Sequence, residues 1–196
     1  MVINEILKEK KMSRYKLSKL SGVPQTTIFD IYVGKTKLAK CEAGTLYKIA
    51  KALDMSVESL LEREQDTIRK QEERERSFEI FKSNICHYLK DMGDLDFVIN
   101  TLEKDEIRNL YDKQCYFESL YLLAMVDYIS RINSYPLCTN YNDIRKCKLP
   151  ELVYPSSVLM LAAVTKDEDV KKEALKNAIP EFLRFNIVES EVRNVI

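Results

Sequence analysis

Glycine is scarce in this chain of 196 residues: Gly22, Gly34, Gly44 and Gly93 are all it has. Three of the four fall in the first quarter, so almost nothing after Gly93 can use a glycine turn, and a turn-rich β fold gives way to helices throughout. Histidine is represented by His87 alone, which leaves no second imidazole for a metal site. No apolar run approaches the ~18 residues a membrane helix needs. The opening "MVINEILKEKK" also brings charges too early for a secretory leader, so no membrane contact and a cytoplasmic location are expected. The five cysteines, Cys41, Cys86, Cys115, Cys138 and Cys147, are odd in number and not closely spaced. In a chain without an export signal they read as reduced, mostly buried thiols.

Catalytic patterns are equally sparse. Cys86 and His87 are neighbours, but adjacent residues on a helix point about 100° apart and cannot converge on one ion. Cys138 and Cys147 lack the short-loop pairing of a zinc knuckle. The cluster "DMGDLD" around Gly93 lacks the glutamate that closes a calcium loop and reads as a helix break with capping. No phosphate-binding glycine loop follows Gly44. The chain is therefore expected to be no enzyme and to need no cofactor and no metal.

What is present is a charge asymmetry hidden by a net charge of zero. Through Lys51 eleven lysines and arginines face four acids, Glu5, Glu9, Asp30 and Glu42, giving +7, and the remainder carries −7. A local basic surface is what a phosphate backbone responds to, whatever the total.

Ile3, Ile6 and Leu7 recur at helical spacing in a first short helix ending near Lys10. Ser13 offers a cap for a second, with Leu17 inward and Ser18 and Ser21 small enough for close packing before Gly22 stops it. Pro24 suits the first position of a third helix, with Ile28 and Ile31 inward and Gly34 at its end. Leu46, Ile49, Ala50 and Leu53 mark a fourth, and Ser56 opens a short fifth with Val57, Leu60 and Leu61. Five short helices in 1–64 make a complete small domain. In "EREQDTIRKQEERERS" the only clearly apolar residue is Ile68, so 65–77 reads as a solvated helical connector. Hydrophobic content returns from Phe78, so 78–196 should form a second helical core. Pro136, Pro150 and Pro155 break the helices there into an irregular connection, and Pro180 opens a last helix. Phe182, Leu183, Phe185, Ile187 and Val188 in the tail are too apolar to stay free and should dock on their own domain, a second subunit or a partner.

The third helix begins with Gln25, Thr26 and Thr27, where a helix that only packs would present lysine and glutamate. Glutamine can pair bidentately with adenine, and threonine or phenylalanine can touch a thymine methyl. With an earlier helix stopped at Gly22 and Lys35 and Lys37 following, this is the division of labour of a helix-turn-helix reader.

The pieces "KLSKLSGVPQTTIFDIYVGKTK" and "TLYKIAKALDMSVESLL" resemble the Cro/C1 (XRE) repressor family over residues 3 to 61. The resemblance implies a lambda-repressor-like, five-helix N-terminal domain; with the separate C-terminal helical domain read above, the expected fold is all-α. It implies that Gln25, Thr26, Phe29 and Asp30 face bases, and that Arg14, Thr27, Lys35, Thr36 and Lys37 hold the backbone. Two departures stand out: family members often carry a long polar or basic residue where Asp30 stands, and the loop from Thr36 to Glu42 is longer than the commonest form. The expected partner is a double-stranded operator bound by a homodimer, since one head buries little DNA surface. The expected function is a sequence-specific transcriptional regulator, a dimeric repressor. The alternative is an antitoxin whose residues 78–196 hold a protein partner, a toxin, while the first domain represses the operon.

Overall fold

The structure, a computed structural model, describes residues 2–192. Its helices are α1 (Val2–Glu9), α2 (Arg14–Ser21), α3 (Gln25–Tyr32), α4 (Ala43–Ala52), α5 (Val57–Met92), α6 (Asp94–Glu103), α7 (Glu106–Asp112), α8 (Tyr116–Ile132), α9 (Ser156–Thr165), α10 (Asp169–Lys176) and α11 (Pro180–Leu183). Three 3-10 turns lie at Leu38–Lys40, Thr139–Tyr141 and Ile144–Lys146. Among the described residues there is no strand, only an isolated parallel bridge between Val153 and Ile187. The fold is all-α.

The chain divides into two compact units, Met1–Arg76 and Ser77–Ile196. In the first, Ile3 and Ile6 of α1, Leu17 of α2, Ile28 of α3, Ile49 of α4 and Leu60 of α5 meet in one core. The apolar periodicity of each helix supplies its share. Ser13 caps α2, its Oγ accepting from the Lys16 N–H at 3.1 Å.

The fifth helix is not short. It runs unbroken from Val57 to Met92, taking in the expected connector and the start of the second unit. No Gly or Pro occurs between Gly44 and Gly93 to stop it, and local pairs such as Arg69–Asp66 at 2.9 Å and Gln71–Glu75 at 3.0 Å support the exposed stretch. Gly93 ends the run with φ 83°, a left-handed backbone that favours glycine. Asp94 and Asp96 occupy the first turn of α6, where Asp94 accepts from the Asn133 amide at 2.7 Å. Pro24, expected as the first residue of α3, precedes it at the cap position with φ −53° and ψ 143°.

In the second unit α8 is the axis, buried without interruption from Ser119 to Asp127. Asp127, 2% exposed, accepts two bonds from Arg145 at 2.6 and 2.9 Å and one from Arg184 at 3.1 Å, so a carboxylate at the centre of the core is matched by two guanidiniums. The irregular connection carries two of the 3-10 turns, and Arg145 pins it through the Cys138 carbonyl at 2.7 Å. The tail enters the same core. Phe182, Phe185, Ile187 and Val188 are buried, Leu183 is half-buried, and Lys82 pairs with Glu189 at 2.8 Å. Positions 193–196 of that tail lie outside the described residues. All five cysteines are free and only partly buried, which corrects the expectation of buried thiols. Several sit at the margin of the core with polar neighbours: Cys86 donates to the Val192 carbonyl at 3.1 Å, and Cys147 lies 3.1 Å from the Tyr111 hydroxyl.

Candidate nucleic-acid interface

The turn between α2 and α3 is fastened by two serines. Gly22 takes φ 69° and its N–H bonds to the Ser18 carbonyl, closing α2. Ser18 Oγ donates to the Val23 carbonyl at 2.7 Å, while Ser21 Oγ donates to the Leu17 carbonyl at 2.7 Å and accepts from the Val23 N–H at 3.2 Å. Val23 is buried between the two helices' apolar faces. Packing alone leaves the direction of α3 loosely set; these bonds fix where it starts.

At 100° per residue, Gln25, Phe29, Thr26 and Asp30 fall on one arc of about 140°, opposite Ile28 and Ile31. The burial agrees: Ile28 and Ile31 are buried, Gln25, Thr26 and Phe29 exposed, Thr27 and Asp30 half-exposed. Among the described residues nothing hydrogen-bonds the side chains of Gln25, Thr26 or Thr27, and the Pro24 cap position makes no side-chain bond to the helix start. The polar opening of α3 is not a cap. The first N–H groups of α3 are thus left without an intrahelical partner or a side-chain cap.

Arg14, the first residue of α2, is exposed but is not free of the protein. Its guanidinium carbon lies 4.5 Å from the centre of the Tyr32 ring and 5.5 Å from that of Phe29, so the cation is stacked along α3. Asp30 is paired with Lys35 at 3.8 Å, which offsets the unfavourable acid on the exposed arc. The long loop is ordered rather than slack: Leu38 is buried, and Glu64 of α5 accepts from the N–H groups of Leu38 and Ala39 at 2.8 and 3.0 Å. Lys35, Lys37 and Lys40 stand exposed around it. Burial pushes the Cys41 thiol up, and the Glu64 charge adds to this, so it stays a protonated, unreactive neighbour of the loop.

Residues 2–66 match the family model of the Cro/C1-type HTH DNA-binding domain. The first unit carries a Cro/C1-type DNA-binding domain. No curated protein and no solved structure matches the chain. Two contributions to this domain escape the sequence. Tyr32 draws no notice in the sequence, although an aromatic three residues after Phe29, about one helical turn on, offers a second ring to a cation beside α3. Glu64 carries no local signal at all, since it acts on backbone 26 and 25 residues away. Elsewhere, no helix among the described residues is long and apolar enough to cross a membrane, and no group of three His, Cys, Asp or Glu side chains there could hold a metal ion.

Proposed function

We propose that the chain is a sequence-specific regulator of transcription that works as a dimeric repressor, occupying its operator and excluding other proteins from it. In this reading residues 1–64 bind duplex DNA, the helical stretch 65–77 links, and residues 78–196 bring two copies together. Gln25, Thr26, Phe29 and Asp30 read base edges, and Arg14, Thr27, Lys35, Thr36 and Lys37 hold the sugar-phosphate backbone. The observation that carries it is the uncapped polar opening of α3, Gln25, Thr26 and Thr27, on a helix whose opposite face is buried. Those amide and hydroxyl groups have no work inside the protein.

Selection of a binding site from randomised duplex with the full chain, followed by titration over a range of salt, tests this. One preferred site, with affinity that falls steeply as salt rises, is the expected result. A chain that binds every duplex alike, or none, would overturn it.

A further inference from the structure

In α9 composition and exposure disagree. Between Ser156 and Thr165 the helix carries no charged residue, yet only Ala162 is buried. Leu159 is 47% exposed, Met160 69%, Leu161 51% and Val164 77%. At 100° per residue Leu159, Ala163, Met160, Val164 and Leu161 follow one another round an arc of about 200°, with Ala162 on the other side. A helix that is apolar nearly all round belongs in an interior. Here α10 packs against one side of it and the described chain leaves the rest open.

We propose that this open face of α9, flanked by α10, is the surface on which a second copy of the chain docks, in twofold fashion. The proposal rests on the dimeric reading above and names its contact. A twofold axis sets a surface against itself, so any net charge on it repels; α9 has none. Beside it, α10 adds no net charge at its start, where Glu168 pairs with Lys171 at 3.3 Å and Asp169 with Lys172 at 2.7 Å. Two α9–α10 pairs related by the axis assemble as a four-helix bundle closed over the uncharged α9 faces. The exposed apolar side chains of α9 offer on the order of 500 Å² per copy, above the few hundred Å² a monomer ordinarily tolerates and a large part of the ~800 Å² each partner buries in a standard interface.

Sedimentation equilibrium on the full chain and on its Met160→Glu/Val164→Glu variant tests the contact. Both side chains are exposed, so the variant should keep the parent's circular dichroism. The parent should sediment with the mass of two chains and the variant with that of one. On duplexes, the variant should bind a single half-site as the parent does, and lose the parent's advantage on a two-half-site operator by roughly tenfold or more. A parent of single-chain mass, or a variant that stays dimeric, overturns the proposal; so does a single-chain parent that holds a different protein on α9. Should the double variant lose its fold, Met160→Cys decides. At mid-helix, near the proposed axis, it should crosslink chain to chain under copper-phenanthroline oxidation beyond the parent's background, and no such increase overturns the contact. A parent that binds no duplex would defeat the operator reading, while its measured mass would still judge the α9 contact.

Discussion

Helices α3 and α9 start alike and end up opposite. Each follows a proline with nearly the same backbone, φ −53° and ψ 143° at Pro24 and φ −56° and ψ 145° at Pro155, and neither has a side-chain cap bond. Each opens on small or amide side chains, Gln25 and Thr26 in one, Ser156 and Ser157 in the other. Beyond the first turn they diverge. α3 buries Ile28 and Ile31 and turns its polar arc outward; α9 buries Ala162 and turns out Leu159, Met160 and Val164. An outward polar arc has no use for its own core and can meet a polar surface such as a base-pair edge, whereas an outward apolar arc is stabilised only by being covered. Local start signals thus fix where a helix begins, and the chemistry of the outer face decides what it is for.

The strongest way to break the contrast is from the inside of α3. Ile28→Ala, at a side chain 1% exposed, should cost about 2–5 kcal/mol in denaturant unfolding of the first unit, because a cavity is left under the reading face. A loss below about 0.5 kcal/mol, the scale of ordinary surface changes, would show that the inner face does not set the outer one.

Next comes the outer face itself. Gln25→Ala with Thr26→Ala should remove about 1–3 kcal/mol of discrimination per good base contact, read as competition between selected and scrambled duplexes, whereas Leu161→Ala on α9 should leave that ratio unchanged on a single half-site. Equal discrimination in the parent and the α3 variant would remove those two residues from the base-reading set. A smaller effect is expected at Asp30. Asp30→Asn frees Lys35 and removes one negative charge from the arc, so binding to all duplexes should tighten and the salt dependence steepen by about one phosphate contact. Weaker binding to every duplex would mean that the ion pair positions Lys35 instead of restraining it.

The smallest effect concerns acid. Burial works to raise the Glu181 carboxyl, but the Arg131 guanidinium bonded to it overrides this and holds it below its usual range. Its contribution to the second unit is therefore complete above the ordinary glutamate range and is lost as pH falls toward the depressed value. Glu189, pushed up by burial despite Lys82, works the other way. Glu181→Gln should thus flatten the acid side of the melting curve relative to the parent; identical acid limbs would assign that sensitivity elsewhere.

Much of this was legible because it is periodic and local. Helical spacing of Ile3, Ile6 and Leu7, Ser13 before α2, Gly22 after it and the polar start at Gln25 all act within a few residues, which is the range a sequence displays directly. The length of α5 is missed for a related reason: the short fifth helix, the helical connector and the start of the second core read as separate pieces, yet good helix formers run on from Val57 to Met92 with no Gly or Pro among them. The hold of Glu64 on the loop and the pairing of Asp127 with Arg145 and Arg184 could not be read, because each depends on residues brought together by the fold. The apolar content of "SSVLMLAAV" is plain within the second core expected from Phe78 on, but sequence shows what a helix carries and not which side stays uncovered.

The stacking of Arg14 on Tyr32 and Phe29 also has a calorimetric consequence. A free arginine on a surface samples many rotamers, and immobilising such a side chain on association costs about 0.5–1.5 kcal/mol. Arg14 has already given up part of that freedom within the protein alone. For the proposed backbone contact the entropic penalty is correspondingly smaller, and it returns when Tyr32 is replaced by a residue without a ring. The charge is then unchanged, and the loss appears as a less favourable entropy of association, with the number of counterions released left the same.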